Sequence, residues 1–243
     1  MDRARARVAA VRAAIVIGVV AALAFGFREL VSARCFALTG ELVCSGPADE
    51  RRVALSFDDG PTARGIEQVL PALEQAGVSA TFFLEGEAVA ERPELVAKIV
   101  AAGHEVGNHS WSHDAMIGVG AADYEAELRR TDAAIVAAGA PRPRYFRPPY
   151  GKKFIGLGRA VDANAQRMIL WNVEEPSASR GVDAYVDGIM EQVEPGAILL
   201  VHPMFASREV ERAALPILLR RLAKEGYAVG TVGDLLGSGE NEQ

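Results

Sequence analysis

Val53-Ala54-Leu55-Ser56-Phe57-Asp58-Asp59-Gly60-Pro61 changes character partway along: an apolar, β-prone run stops at two adjacent carboxylates and a Gly-Pro turn. This is the pattern of a buried strand that delivers polar groups at its C-terminal end. The arrangement recurs downstream. Residues 105–108 end in His109-Ser110-Trp111-Ser112-His113, residues 144–146 run into Arg147-Pro148-Pro149-Tyr150-Gly151, and residues 197–201 end in His202. Three further strands are expected at 80–84, 168–173 and 228–232. Between them lie helical patterns, for instance at 65–76, 93–102, 122–138 and 208–224. Ile66, Val69, Leu70 and Leu73 form one apolar face, and Leu215, Leu218, Leu219 and Leu222 another. Strand–helix alternation predicts an α/β fold with a mainly parallel sheet and right-handed crossovers. About seven such units make a distorted, incomplete β/α barrel rather than a full eight-unit one. In a barrel the C-terminal strand ends share one rim, so the four polar clusters are expected in one pocket.

The residue types at that rim suit metal-assisted hydrolysis. His109 and His113, spaced i, i+4, bring two imidazoles to one side of a helical turn or tight loop. With one carboxylate they make a facial set for a divalent ion, leaving positions open for water and substrate. Consecutive carboxylates leaving a strand point apart, so one of Asp58 and Asp59 can ligate while the other takes a proton from water as general base. Arg147, permanently charged, would hold such a carboxylate ionised and oriented.

Taken together and in this order, Ser56-Phe57-Asp58-Asp59-Gly60-Pro61, His109-Ser110-Trp111-Ser112-His113, Arg147-Pro148-Pro149-Tyr150-Gly151 and Leu200-Val201-His202 resemble the successive motifs of the polysaccharide deacetylases, carbohydrate esterase family 4. The resemblance covers roughly residues 50–236. It implies metal-dependent removal of N-acetyl or O-acetyl groups from a glycan. Position by position, it implies Asp58 as base, Asp59, His109 and His113 as metal ligands, and Arg147 as the residue orienting the base. It implies the Tyr150 backbone N–H as oxyanion donor, His202 as general acid, and Leu200 as part of an acetyl-methyl pocket. Pro148, Trp171 and Glu174 are expected beside the substrate. The ion is expected to be zinc, with cobalt, nickel or manganese fitting the same donors. His104 reads as structural.

The motifs also depart from the family pattern. Ser56 stands for the usual Thr, and Pro203 for the commoner acidic residue. In Trp171-Asn172-Val173-Glu174-Glu175-Pro176, Glu174 occupies the place of an Asp that tunes the acid histidine; either its longer stem reaches the same partner or the tuning is altered. Ser177-Ala178 replaces the usual later Asp-Trp, which removes a wall for sugar stacking.

The N-terminus has a different chemistry. Residues 1–34 carry six arginines against Asp2 and Glu29, a net +4, which leaves −10 for the rest of a chain whose total is −6. The uncharged run AAIVIGVVAALAFGF, residues 13–27, follows four of those arginines. A basic head before an apolar stretch is an export pattern. Extended back to Val8 it reaches the roughly 20 residues of a bilayer span, while Val31-Ser32-Ala33 offers a cleavage site. Residues 1–34 therefore read as a signal peptide or a membrane anchor, placing the body on the periplasmic or extracellular face, anchored or secreted. Cys35 and Cys44 flank a Thr39-Gly40 turn. A hairpin through that turn would make them a close non-hydrogen-bonded pair, suited to a disulfide in an oxidising compartment, with free thiols as the alternative. Residues 45–50 read as a linker, 51–236 as one catalytic domain, and 237–243 as a polar tail.

A body at −10 repels nucleic acid and favours neutral or amine-bearing glycans. Three other readings compete: a non-catalytic glycan-binding relative, a deformylase or deacetylase of a lipid-linked sugar, and a metallo-phosphoesterase. The last ordinarily needs more carboxylates to bridge two metals.

Overall fold

The computed structural model describes residues 2–176 and 181–237. Ser177-Ala178 and all but the first residue of the polar tail lie outside them. In chain order the strands are β1 Leu42–Val43, β2 Arg52–Asp58, β3 Thr81–Leu84, β4 Glu105–Asn108, β5 Tyr145–Phe146, β6 Arg167–Ile169, β7 Val173–Glu174, β8 Ile198–Val201 and β9 Ala228–Gly230. The helices are α1 Asp2–Ser32, α2 Ala63–Ala76, α3 Gly86–Glu91, α4 Pro93–Ala101, α5 Ala121–Ala137, α6 Ile155–Ala163, α7 Val182–Met190, α8 Glu209–Lys224 and α9 Val232–Leu236.

All named ladders are parallel, in the order β1-β6-β5-β4-β3-β2-β8-β7, with β9 beside the first half of β2. The strand over 53–57 is buried on both faces, as its unbroken apolar run requires of a parallel sheet. Alternation then sorts its side chains. Val53, Leu55 and Phe57 pack outward with the α2 stripe (Ile66, Val69, Leu73) and the α8 stripe (Leu215, Leu218, Leu219, Leu222). Ala54 faces an inner cluster with Phe83, Ile169, Trp171 and Leu200. Asp58, in register with Ala54, therefore points into the barrel.

The single strand expected over 168–173 is two. β6 pairs with β5 and β7 with β8, so these sequence neighbours stand at opposite ends of the sheet. Leu170-Trp171-Asn172 step across the seam between them. The hairpin expected across Cys35–Cys44 is not formed either. Leu42 and Val43 pair instead with Met168 and Ile169, where they gain a sheet to pack on; an isolated two-stranded hairpin is marginal in water. The cysteines are nonetheless joined, with Cα atoms 5.7 Å apart. Nor do residues 45–50 begin as a free linker. Ser45 bridges Ala197, and the Gly46 N–H donates to the Gly196 carbonyl at 2.8 Å. Gly196 has φ +83°, and a Cβ there would lie 2.5 Å from the Gly46 oxygen, so only glycine admits this approach. Residues 42–46 thus lie against β6 on one side of the seam and the start of β8 on the other.

His104 is structural, as expected. Its Nδ1 accepts the Ala80 N–H at 3.3 Å, and its ring lies 5.4 Å from that of Phe82.

Candidate active site

The polar clusters do converge at the C-terminal strand ends. After β2, Asp59 and Gly60 both have φ +73°, a left-handed pair that swings the Asp59 carboxylate away from that of Asp58. Asp59 Oδ1 lies 3.3 Å from His113 Nε2 and 3.7 Å from His109 Nε2. One donor atom from each of the three residues falls within 4.8 Å of the others. The Asp59 oxygen is buried and has no hydrogen-bond partner, a cost that a cation between these donors would remove. His109 Nδ1 lies 2.7 Å from the Arg147 carbonyl, which can only accept. The proton therefore sits on Nδ1, and the Nε2 lone pair faces the gap between the two carboxylates, 3.6 Å from Asp58 Oδ2 and 3.7 Å from Asp59 Oδ1. Donor chemistry and geometry fit a divalent ion. Glu85, after β3, accepts the Gly60 N–H at 3.3 Å. Burial, then the charge of Asp59, pushes its carboxyl up to about 7.

The loop carrying both histidines is not a helical turn: Ser110 and His113 are left-handed, with φ +67° and +57°. Neighbouring carboxylate and amide groups hold it. Glu127 of α5 accepts the Trp111 and Ser112 N–H groups at 2.8 and 3.0 Å. Asn108 Oδ1 accepts the Ser110 N–H at 2.9 Å, while its amide donates to Asp132 at 2.7 Å. Arg130 lies 4.0 Å over the Trp111 ring. These α5 groups escaped the sequence reading, since nothing in an amphipathic helix marks which polar residue turns inward.

Asp58 is gripped from within the barrel. Arg147, 0% exposed, donates from Nη1 to Asp58 Oδ1 at 2.6 Å. Its Nε and Nη2 each donate at 3.3 Å to the Ile169 and Leu170 carbonyls, and the guanidinium lies 4.1 Å over Phe83. Burial alone would raise the Asp58 carboxyl; the Arg147 charge and hydrogen bond, with the His202 charge behind them, outweigh it and hold the group below the usual carboxylate range.

His202 closes the far side. Its partner is Glu175, not Glu174. His202 Nδ1 lies 2.8 Å from Glu175 Oε1, and the His202 N–H donates to the same carboxylate at 3.2 Å. Tyr185 donates to Glu175 at 2.7 Å. Successive side chains leave a strand on opposite faces, so Glu174 instead meets Arg34 at 3.3 Å. Burial opposes the charged imidazole, but the Glu175 hydrogen bond and the Asp58 and Glu175 charges prevail, and the His202 pKa is raised.

The other expected positions divide. Tyr150 has φ +58°, is 63% exposed, and sets its ring 4.8 Å from that of His113, at the mouth of the site. Trp171 and Leu200 lie in the inner cluster below Arg147, and Pro148 is buried. They form floor rather than an open stacking wall.

An ionised carboxylate, a facial Asp/His/His set and a proton-bearing imidazole thus share one rim, the constellation for hydrolysing an acyl bond. Comparison with known proteins agrees. A model of the polysaccharide deacetylase family matches residues 45–166. The chain is 31% identical over 202 residues to a peptidoglycan-N-acetylglucosamine deacetylase of Bacillus cereus, spanning 82% of this chain and 94% of that one. The solved Bc1960 peptidoglycan N-acetylglucosamine deacetylase matches with TM-score 0.77 at 26% identity, over 81% of this chain and 92% of that one. Wild-type BA3943, a CE4 family pseudoenzyme from Bacillus anthracis, matches with TM-score 0.73 at 30% identity, over 82% and 69%. From strand-end motifs to sheet order, the chain belongs to the polysaccharide deacetylase family.

Proposed function

We propose that this protein is a metal-dependent deacetylase that hydrolyses N-acetyl groups on a cell-envelope glycan. The observation that carries the reading is the Asp58–Arg147 pair, set beside the Asp59, His109 and His113 donors. A purely glycan-binding descendant has no physical need for a buried ionised carboxylate held by a buried guanidinium. Asp59, His109 and His113 would hold a divalent ion, zinc being the best match to two imidazoles and one carboxylate. When bound, it supplies Lewis-acid polarisation of the acetyl carbonyl and acidifies water. Asp58, kept ionised by Arg147, takes the proton from the attacking water. The Tyr150 N–H donates to the developing oxyanion. His202, kept protonated by Glu175, hands its proton to the departing amine. Leu200 and Trp171 close the floor under the acetyl methyl.

Metal dependence is the direct test. The full-length protein in detergent should release acetate from N-acetylchitotetraose or peptidoglycan fragments, lose that activity on chelation, and regain it with zinc, cobalt, nickel or manganese. Metal-loaded protein that binds these glycans yet releases no acetate would place it with the pseudoenzyme instead.

A second test concerns the acid. His202 titrates above its ordinary value because Glu175 faces it, so its protonated form persists to higher pH. In Glu175→Gln that support is lost. The alkaline limb of kcat/KM is expected to move to lower pH, with the acid limb unmoved; a superimposable profile would remove Glu175 from the mechanism.

We read α1 as a retained membrane anchor on the outward-facing body. Its segment Val11–Leu30 has mean hydropathy 1.9 with exposed side chains, long and apolar enough to cross a bilayer. Cleavage after Ala33 would strip Lys153, 5% exposed, of the Ala33 carbonyl to which its ammonium donates at 2.7 Å. The Cys35–Cys44 bond suits the same oxidising side.

A further inference from the structure

α1 does not end in solvent. Its Phe27 ring meets Phe154 edge-on at 5.1 Å. Lys153 brings an ammonium to the carbonyl end of the helix, where the macrodipole favours a cation. Arg34 pairs with Glu174. Phe36 and Leu38, 47% and 48% exposed, line a hollow with Leu30 and Phe154 and extend the apolar surface of the helix onto the body. Apolar side chains left open on a soluble face need a partner, and the continuous partner here is the bilayer that takes the rest of α1.

The body residues in these contacts flank the cleft. Lys153 follows Tyr150 by three positions, no more than about 10 Å of chain. Glu174 precedes Glu175, the partner of His202. Arg34 itself shares a cavity of about 610 Å³ with His202, Glu175 and Arg208. From Leu30, the end of the apolar span, to Arg34 is at most about 10 Å, two residues of helical rise and two beyond the helix end. The polar headgroup layer is roughly 5–7 Å deep on each side. The mouth of the site therefore stands within a few ångströms to about 15 Å of the lipid surface, held there by contacts rather than swung on a flexible tether.

We propose that the cleft opens at the headgroup level of the membrane that α1 spans, and that its substrate is an acetylated glycan carried on a membrane lipid, with the acetyl group close to the carrier. This rests on the deacetylase reading and on α1 as a retained anchor.

The test uses the full chain in phosphatidylcholine vesicles. N,N′-diacetylchitobiose is coupled to a phospholipid either directly or through a fifteen-proline spacer, which stands the sugar about 45 Å off the surface. Free N-acetylchitotetraose is the control. Acetate release from the direct conjugate should exceed that from the spaced one by about tenfold or more. A Gly/Ser insertion of about 15 residues between Ser32 and Ala33, with a root-mean-square reach of roughly 20 Å, should bring that ratio close to one while leaving hydrolysis of the free tetramer unchanged. Equal release from both conjugates by the uninserted chain, with the tetramer cleaved normally, overturns the placement. No release even from the free tetramer overturns the deacetylase reading itself, and the two failures are thereby distinguished.

Discussion

Asp58→Asn is expected to lower kcat for acetate release by about 10²–10⁴-fold, the usual worth of a general base, while KM moves little. The amide is nearly isosteric and still accepts from Arg147, but it cannot take a proton from water. Asp59, His109 and His113 keep their positions, because the Arg147 carbonyl orients His109 and Glu127 holds the loop, and the Asn oxygen or amide still sits where Asp58 Oδ2 faces His109 Nε2 at 3.6 Å. Zinc affinity of the variant, measured by calorimetry, should therefore stay near that of the parent. Activity within a few-fold of the parent would remove Asp58 from the role of base. Loss of zinc binding together with activity would instead make it a ligand.

Arg147→Met should act first on stability. Its guanidinium is the fully buried countercharge of Asp58 and the donor to two carbonyls, Ile169 and Leu170, at the step between β6 and β7. Removing one partner of a buried pair leaves the other charge uncompensated, at a cost of about 3–5 kcal/mol. For a chain of this size that lowers Tm by roughly 6–20 °C, readable by calorimetry or circular dichroism. The double variant Asp58→Asn/Arg147→Met should recover part of the loss, since no carboxylate then remains to be desolvated. A single variant that melts with the parent would show that the pair contributes no net stability.

Much of this was legible in the residues. The abrupt change from Phe57 to Asp58-Asp59 located a strand end, and its recurrence at His109, Arg147 and His202 assembled one rim from four distant segments. Their short, β-prone composition marked the apolar runs as strands, but a run buried on both faces has no alternation to say which side chains face the barrel. The misreadings fall where pairing partners, not propensity, decide. Leu42 and Val43 are as good in a hairpin as in a sheet, and only the free edge at Met168 and Ile169 selects the latter. Residues 168–173 read as one strand because nothing local says that a barrel seam passes through Leu170-Trp171-Asn172. Glu174 and Glu175 are chemically alike, so which one meets His202 depends on the exit direction of a two-residue strand.

The segment that lines the seam carries a consequence for how the chain assembles. Leu42 and Val43 must find Met168 and Ile169, and Gly46 must find Gly196, pairings between the start of the body and its last third. Contacts so remote in sequence close large loops and form late. Until they form, β6 and the start of β8 present open backbone edges, the surfaces through which nascent chains cross-pair and aggregate. During synthesis the N-terminal segment emerges first and waits longest for its partners. On the proposed reading of α1 as an anchor, the bilayer would keep that segment at a fixed place while the rest of the barrel is delivered beside it.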